Sequence, residues 1–220
     1  MHSLIDKAMV ENIRATGKTS ENLPERIPIL EKHNLPYDQS AENVVVSGCQ
    51  ILPAMPHLLV PLARIFNKKG LSYTFLSKEY CCGNYLYRPA IKKKDDAAMA
   101  ECREISREFV GKNIEQARKL GAKRIIIFCS PCYPIYKYAF PEEDIIFYPE
   151  AINELLDPIS LDEKIDYYAV CSNSANNPEA GKIHDNIDEG VKRCSGHPFC
   201  SACGQTHHDI SCMGYGGIAQ

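Results

Sequence analysis

The cysteines are the residues of this chain whose type and spacing could carry chemistry. Cys81 and Cys82 are adjacent, Cys49 lies upstream, and Cys129 and Cys132 form a Cys-x-x-Cys pair downstream, in the overall pattern C-x31-C-C-x46-C-x2-C. Adjacent cysteines are poor partners for a disulfide, because their side chains diverge from the backbone. The N-terminus lacks the apolar segment of an export signal, so we expect reduced thiols, whose clustering is usually explained by metal ligation.

The number of thiols bears on the kind of metal site. A tetrahedral zinc ion needs four ligands, so a closed zinc site would leave a fifth thiol exposed to oxidation. A cluster of several iron atoms can use five thiolates, some of them bridging. The count therefore favours an iron–sulfur cluster, and zinc stays open as the alternative.

Short apolar runs alternate with helical patterns along most of the chain, and this alternation predicts the fold class. Such repeats predict an α/β fold with a Rossmann-like parallel sheet, right-handed crossovers and helices on both faces. The predicted strands cover residues 44–47, 72–76, 124–128, 145–148 and 165–170, and the predicted helices cover 4–14, 28–32, 55–67, 96–120, 133–138 and 150–156. In helix 55–67, Leu58, Leu59, Leu62, Ile65 and Phe66 are expected to face inward.

Five of the eleven cysteines follow predicted strands. Cys49, Cys129 and Cys171 come directly after strands, and Cys81 and Cys82 come a few residues after another. All of them should therefore emerge at the carboxyl edge of the sheet, where open α/β sheets bind their ligands. Cys102 is different, because it falls at helical spacing with apolar neighbours and is predicted to be a core residue.

The order Cys, Cys-Cys-Gly, Cys-x-x-Cys on an α/β scaffold resembles the cysteine-rich CCG domain found in the B subunit of heterodisulfide reductase. The same domain occurs in iron–sulfur subunits of anaerobic glycerol-3-phosphate dehydrogenase, glycolate oxidase and lactate-utilisation complexes. The resemblance covers about residues 43–141, with a second gap longer than is usual in the family, which suggests extra turns in helix 96–120. It implies that five cysteines ligate a noncubane [4Fe-4S] cluster, with no catalytic residue beyond the cluster: Cys49, Cys81, Cys82, Cys129 and Cys132.

The resemblance also implies partners and an activity. The phrase Asn12-Ile13-Arg14-Ala15-Thr16-Gly17 looks like the linker that follows a ferredoxin-like module in fused family members. It implies a separate ferredoxin-like partner similar to the C subunit of heterodisulfide reductase, with a flavoprotein as a further candidate partner. In that setting the chain would be an oxidoreductase subunit of anaerobic metabolism, active in a complex, that passes electrons to a disulfide or quinone-linked acceptor. The alternatives are a non-catalytic electron relay and a zinc-stabilised interaction module.

We predict three segments: an N-terminal arm or partner-docking segment at 1–42, a CCG domain at 43–160, and a partial, divergent CCG-like half at 161–220. The last segment is expected to be irregular, with Cys212-Met213-Gly214 standing where the family would have Cys-Cys-Gly. Its two-residue Cys200–Cys203 gap predicts a second metal site holding a [4Fe-4S] cluster or zinc. The alternative is a tail that orders only on a partner. The candidate ligands are Cys171, Cys194, Cys200, Cys203 and Cys212.

Composition excludes several kinds of partner. The 220 residues carry a net charge of −3, with acidic and basic residues mixed along the chain. This gives no footprint for nucleic acid or for an anionic membrane surface. Since no stretch approaches the length of a membrane-spanning helix either, we expect a cytoplasmic protein without direct membrane insertion.

Overall fold

A four-stranded parallel sheet forms the centre of the protein. The computed structural model describes residues 1–157 and two short strands further along the chain, 166–167 and 192–193. The sheet strands are β1 (Asn43–Val46), β2 (Tyr73–Phe75), β3 (Arg124–Ile127) and β4 (Ile145–Phe147), in the order β2-β1-β3-β4. All neighbouring pairs are parallel, which confirms the predicted α/β class.

The helices are interspersed with these strands. They are α1 (Lys7–Thr16), α2 (Arg26–Lys32), α3 (Ile51–Ala54), α4 (Leu59–Lys68), α5 (Tyr87–Lys93), α6 (Asp96–Lys119), α7 (Cys132–Ala139) and α8 (Tyr148–Leu155), with 3-10 turns at Pro56–Leu58 and Asn84–Leu86. The long gap between Cys82 and Cys129 holds both α5 and the 24-residue α6. Helix α5 was not predicted from the sequence.

Helices cover both faces of the sheet. All four residues of β1 are buried, although successive side chains point to opposite faces. On one face, Val44 packs in a core cluster with Val110 of α6 and Tyr136 of α7. On the other, the ring of Tyr73 lies 5.2 Å from the ring of Phe66 on α4. Apolar strands that are covered on both sides are typical of parallel sheets.

One inward position in the α4 region was predicted wrongly. Leu59, Leu62 and Phe66 are buried as expected, but Leu58 is 42% exposed. The reason is that Pro56 opens a 3-10 turn that includes Leu58, and α4 begins only at Leu59. A 3-10 turn has a different period from an α-helix, so the inward stripe cannot extend back through it.

The first 42 residues, predicted as an N-terminal arm or partner-docking segment, pack against the rest of the unit to which they belong. Ile5, Val10 and Ile13 are at most 4% exposed and share a core cluster with Cys81 and Phe109. Residues Met1–Tyr148 form one compact unit. The few apolar residues of a polar segment were enough to bury one side of α1, which composition alone does not reveal.

A second compact unit comprises Pro149–Gln220. Its described parts are most of α8 and a parallel strand pair, β5 (Asp166–Tyr167) with β6 (Lys192–Arg193). The predicted divergent half at 161–220 lies outside the described residues apart from these strands. Across the part of the chain that the structure describes, no helix has the length and apolarity needed to cross a membrane.

Candidate metal centre

Three loops at the carboxyl edge of the sheet bring five cysteines together. Cys49 follows β1, Cys81 and Cys82 follow β2, and Cys129 follows β3, with Cys132 opening α7. The parallel register aligns the carboxyl ends of β1, β2 and β3, so the loops leave the sheet side by side.

The five sulfur atoms form a continuous chain of contacts. The Sγ atoms of Cys49 and Cys81 are 3.3 Å apart, and those of Cys82 and Cys132 are also 3.3 Å apart. The Cys81 thiol interacts with that of Cys82, and the Cys132 thiol with that of Cys129. The five cysteines of the C-x31-C-C-x46-C-x2-C pattern therefore meet in space.

Burial divides the five thiols into an inner and an outer group. Cys81, Cys82 and Cys132 are 1%, 3% and 3% exposed, whereas Cys49 and Cys129 are only partly buried. The middle of the thiol chain is thus closed to solvent, whereas its two ends, Cys49 and Cys129, are partly accessible.

The thiols change one another's acidity. Contact with Cys49, then with Cys82, raises the pKa of the Cys81 thiol well above its ordinary value. Contact with Cys129, then with Cys82, does the same to the pKa of Cys132. The Cys132 and Cys81 thiols in turn lower the pKa of Cys82 well below its ordinary value. Since a metal binds thiolates, its binding would release the protons that these thiols share.

The number of thiols bears on what the centre could hold. Within the described residues, no group of three or more His, Cys, Asp or Glu side chains is arranged to hold one metal ion. A tetrahedral zinc ion binds four ligands, whereas five thiols meet here in a chain of contacts. Thiolate ligands of this number fit an iron–sulfur cluster.

A glycine permits the β1 and β3 loops to approach each other. Gly48 has a φ of +95°, and a Cβ atom there would lie 2.5 Å from the Cβ of Cys129. Any other residue would meet both a strained backbone and a steric clash. Gly48 is therefore part of what lets the Cys129 loop approach the loop that carries Cys49.

A buried ion pair lies directly beneath the cysteine loops. The Glu79 carboxylate is 2.9 Å from Nη2 of Arg26, and their side chains are 1% and 9% exposed. Glu79 also accepts hydrogen bonds from the backbone N–H groups of Ser47 and Gly48. This pair was not predicted from the sequence, because a single acidic residue before the cysteines and a single arginine in a polar segment carry no periodic signal.

Two further contacts fix the backbone just before the cysteine pair. Asn113 of α6 hydrogen-bonds both the N–H and the C=O of Tyr80, and the N–H of Cys81 donates to the carbonyl of Gly17 at 2.9 Å. Gly17 is the last residue of the segment 12–17, which resembles the linker of fused family members. This resemblance was the one feature of the sequence that drew attention to the segment.

The remaining cysteines fall into two groups. Cys102 is fully buried in the cluster that contains Cys81 and Phe109, and burial raises the pKa of its thiol to about 11, so its prediction as a core residue is confirmed. The candidate ligands of the second site lie outside the described residues, and that site stays a prediction: Cys171, Cys194, Cys200, Cys203 and Cys212.

Together, the parallel sheet and the cysteine loops define a cysteine-rich α/β domain. Residues 44–134 match the family model of the CCG cysteine-rich domain, in agreement with the resemblance found in the sequence. The match spans all five clustered cysteines, from Cys49 to Cys132.

The curated relatives are redox proteins. The chain is 28% identical over 132 residues to the D subunit of the dihydromethanophenazine:CoB–CoM heterodisulfide reductase of Methanosarcina mazei, covering 58% of the chain and 30% of the relative. It is 30% identical over 105 residues to the protein of the same name from Methanosarcina barkeri, covering 47% of the chain and 24% of the relative. It is 28% identical over 100 residues to the EtfAB:quinone oxidoreductase of Syntrophomonas wolfei, covering 43% of the chain and 12% of the relative.

The chain spans less than a third of the length of each of these three relatives. Their names place the similarity in oxidoreductases, and two of the three are D subunits of heterodisulfide reductases. No solved structure matches the chain.

Proposed function

We propose that the described unit is the cluster-bearing part of a heterodisulfide reductase-like redox subunit. Its five clustered cysteines hold a noncubane [4Fe-4S] cluster. The observation that carries the proposal is the continuous contact chain of five thiols at one edge of a CCG domain. A structural zinc module would need four thiols converging on one ion.

The residues around the centre have separate tasks. Cys81, Cys82 and Cys132 hold the inner side of the group and keep water from it, because all three are buried. Cys49 and Cys129 are only partly buried, so they are the ligands that an electron donor or an acceptor would approach. When bound, an iron–sulfur cluster supplies electron-transfer chemistry whose potential depends on burial and on hydrogen bonds to sulfur. The N–H of Gly83 donates such a bond to Sγ of Cys81 at 3.4 Å.

The proposed electron path runs from a ferredoxin-like partner, with a flavoprotein as a further partner, to a disulfide or quinone-linked acceptor. The support for these two acceptor classes is the names of the relatives, which include heterodisulfide reductases and a quinone oxidoreductase. The pKa shifts of the thiols do not distinguish a disulfide from a quinone-linked acceptor.

The acceptor can be tested with the protein alone. The anaerobically prepared, reduced protein is mixed with a heterodisulfide or a quinone, and oxidation is followed by absorbance and electron paramagnetic resonance. Stoichiometric oxidation by one of the two classes is expected. Reduced protein that reacts with neither class would contradict the assignment and favour a relay that needs its partner.

We further propose a second metal site in the C-terminal segment, with Cys200 and Cys203 as its most secure ligands. The support is their Cys-x-x-Cys spacing alone. A variant ending before Cys194 should lose metal equivalents relative to the full chain. If truncation leaves every iron, zinc and sulfide equivalent in place, the second site does not exist.

A further inference from the structure

One buried carboxylate joins two of the three cysteine loops. We propose that Glu79 is a positioning residue, which fixes the Cys49 loop against the Cys81 loop so that the two thiols meet. Its role toward a cluster rests on the proposed function, but its effect on the two thiols does not. Nothing in the cysteine pattern itself assigns a role to this residue.

Glu79 accepts three hydrogen bonds from the two residues before Cys49. Its Oε1 accepts from the N–H of Gly48 at 2.7 Å. Its Oε2 accepts from both the N–H and the hydroxyl of Ser47, each at 2.9 Å. Ser47 and Gly48 immediately precede Cys49, and Glu79 stands two residues before Cys81. One side chain therefore links the backbones that carry the two thiols.

Arg26 supplies the countercharge to the buried Glu79 carboxylate. Nη2 of Arg26 lies 2.9 Å from Oε2 of Glu79, and the guanidinium also donates to the carbonyl of Leu76 at 3.1 and 3.2 Å and to the hydroxyl of Ser47 at 3.0 Å. A buried carboxylate is costly unless it is paired and its oxygen atoms are hydrogen-bonded, and here both conditions are met. Because Leu76 directly follows β2, Arg26 also fixes the start of the Cys81 loop.

Positioning of the loops by Glu79 is distinct from a contribution of the ion pair to stability. A buried ion pair often contributes less to stability than apolar residues of the same size would. Its geometric effect is specific, because three bonds to Ser47 and Gly48 set the direction in which the chain enters Cys49. The outcome is the 3.3 Å separation of the Cys49 and Cys81 sulfurs. Glu79 therefore acts on the thiols through the loops that carry them.

The test uses the metal-free, reduced full chain and the thiol oxidant diamide. The Cys49 and Cys81 thiols together lose two electrons and two protons as their S–S bond forms, and the diazene of diamide takes both up to become a hydrazine. Initial rates are measured by peptide mapping. In Glu79→Gln the rate of the Cys49–Cys81 bond should fall about tenfold or more, because small misplacements of reacting groups are costly.

Two controls separate positioning from unfolding. The Cys82–Cys132 bond, whose sulfurs are also 3.3 Å apart, forms in the same sample and should keep its rate within about twofold. Asp144→Asn removes the acidic partner of the exposed Arg124–Asp144 pair and should change neither rate. Thermal unfolding of each variant is recorded alongside.

If Glu79→Gln does not fold, Ser47→Ala is used, because it removes one hydroxyl donor and keeps the ion pair. A selective slowing of the Cys49–Cys81 bond in whichever variant folds supports the proposal. An unchanged Cys49–Cys81 rate, or equal slowing of both bonds, overturns it.

The metal-loaded protein gives an independent readout. If the wild type binds iron and sulfide, Glu79→Gln should alter the electron paramagnetic resonance spectrum of the protein, and an unaltered spectrum would count against positioning. If the wild type binds no iron, the proposed function fails, while the diamide rates still decide the role of Glu79.

Discussion

Asn113 holds the backbone of Tyr80 from both sides. Its Oδ1 accepts from the Tyr80 N–H and its Nδ2 donates to the Tyr80 carbonyl, each at 2.7 Å, so a residue of α6 fixes the peptide group that leads into the cysteine pair. Asn113 is 1% exposed, and its Nδ2 also donates to the hydroxyl of the fully buried Tyr136. The longest helix of the described chain thereby contributes a polar contact to the site as well as apolar packing.

Asn113→Ala should lower the free energy of unfolding of the metal-free protein by about 3 kcal/mol, because it leaves buried backbone groups without partners. Urea unfolding measures the change. Gln116→Ala, on the same helix, removes only a half-exposed bond to the Lys112 carbonyl and should cost within about 0.5 kcal/mol. Equal effects of the two substitutions would show that the Tyr80 contact contributes little.

Gly17 offers a second test of how the N-terminal segment joins the site. It has a φ of +82°, and a Cβ atom there would lie 2.7 Å from the carbonyl oxygen of Glu79. Gly17→Ala should therefore cost about 2 kcal/mol more than backbone strain alone. Faster proteolysis within residues 1–42 is the expected accompaniment.

Gly70→Ala is the matched control for this substitution. Gly70 has a similar φ of +70°, but no described atom lies within 4 Å of the position of its Cβ. It should show the strain alone, about 1 kcal/mol. If both alanine variants unfold at the same urea concentration, the close approach of Gly17 to Glu79 is not tight in solution.

The sequence predicted the sheet and the cysteine cluster because both depend on local patterns. Runs such as Val44-Val45-Val46 specify buried strands, and parallel strands place whatever follows them at one edge. These two rules placed four of the five thiols at that edge, and the Cys-x-x-Cys spacing and the resemblance to the CCG domain added Cys132. The individual sulfur contacts did not follow from them, since they depend on how Gly48 lets two loops approach.

The contacts that support the site could not be predicted in this way. Arg26 and Glu79 are 53 residues apart, and no periodicity links them. The packing of α1 was missed because its buried residues are few. Helix α5 has only seven residues, too few for a clear helical period, and it contains Pro89. Proline is tolerated there because Pro89 lies in the first turn of the helix.

Cys102 makes stability depend on alkaline pH. Burial raises the pKa of its thiol from 9.0 to about 11, so between these values the unfolded chain loses a proton that the folded chain keeps. The stability that this thiol contributes is complete below pH 9 and is lost as pH rises toward 11.

The free energy of unfolding of Cys102→Ala, measured relative to that of the wild type, should therefore rise by about 2 kcal/mol from about pH 9 to about pH 11. Urea unfolding of both metal-free proteins at both pH values gives this difference. The titration of the other thiols and of the tyrosines is common to both proteins and cancels. A constant gap between the two proteins at both pH values would mean that the Cys102 thiol is not shielded from water.

Iron and acid-labile sulfide in the anaerobically prepared protein test the central claim most directly. The account predicts that Cys81→Ser and Cys82→Ser each lose about four iron atoms or change the cluster spectrum. The sheet should stay folded, because its core cluster is built largely from valine, isoleucine and aromatic side chains, and Cys82 is only one of its members. Cys102→Ser is the matched control and should keep its iron. Zinc without iron or sulfide in the wild type, or unchanged iron and spectrum in both Cys81→Ser and Cys82→Ser, would contradict the account.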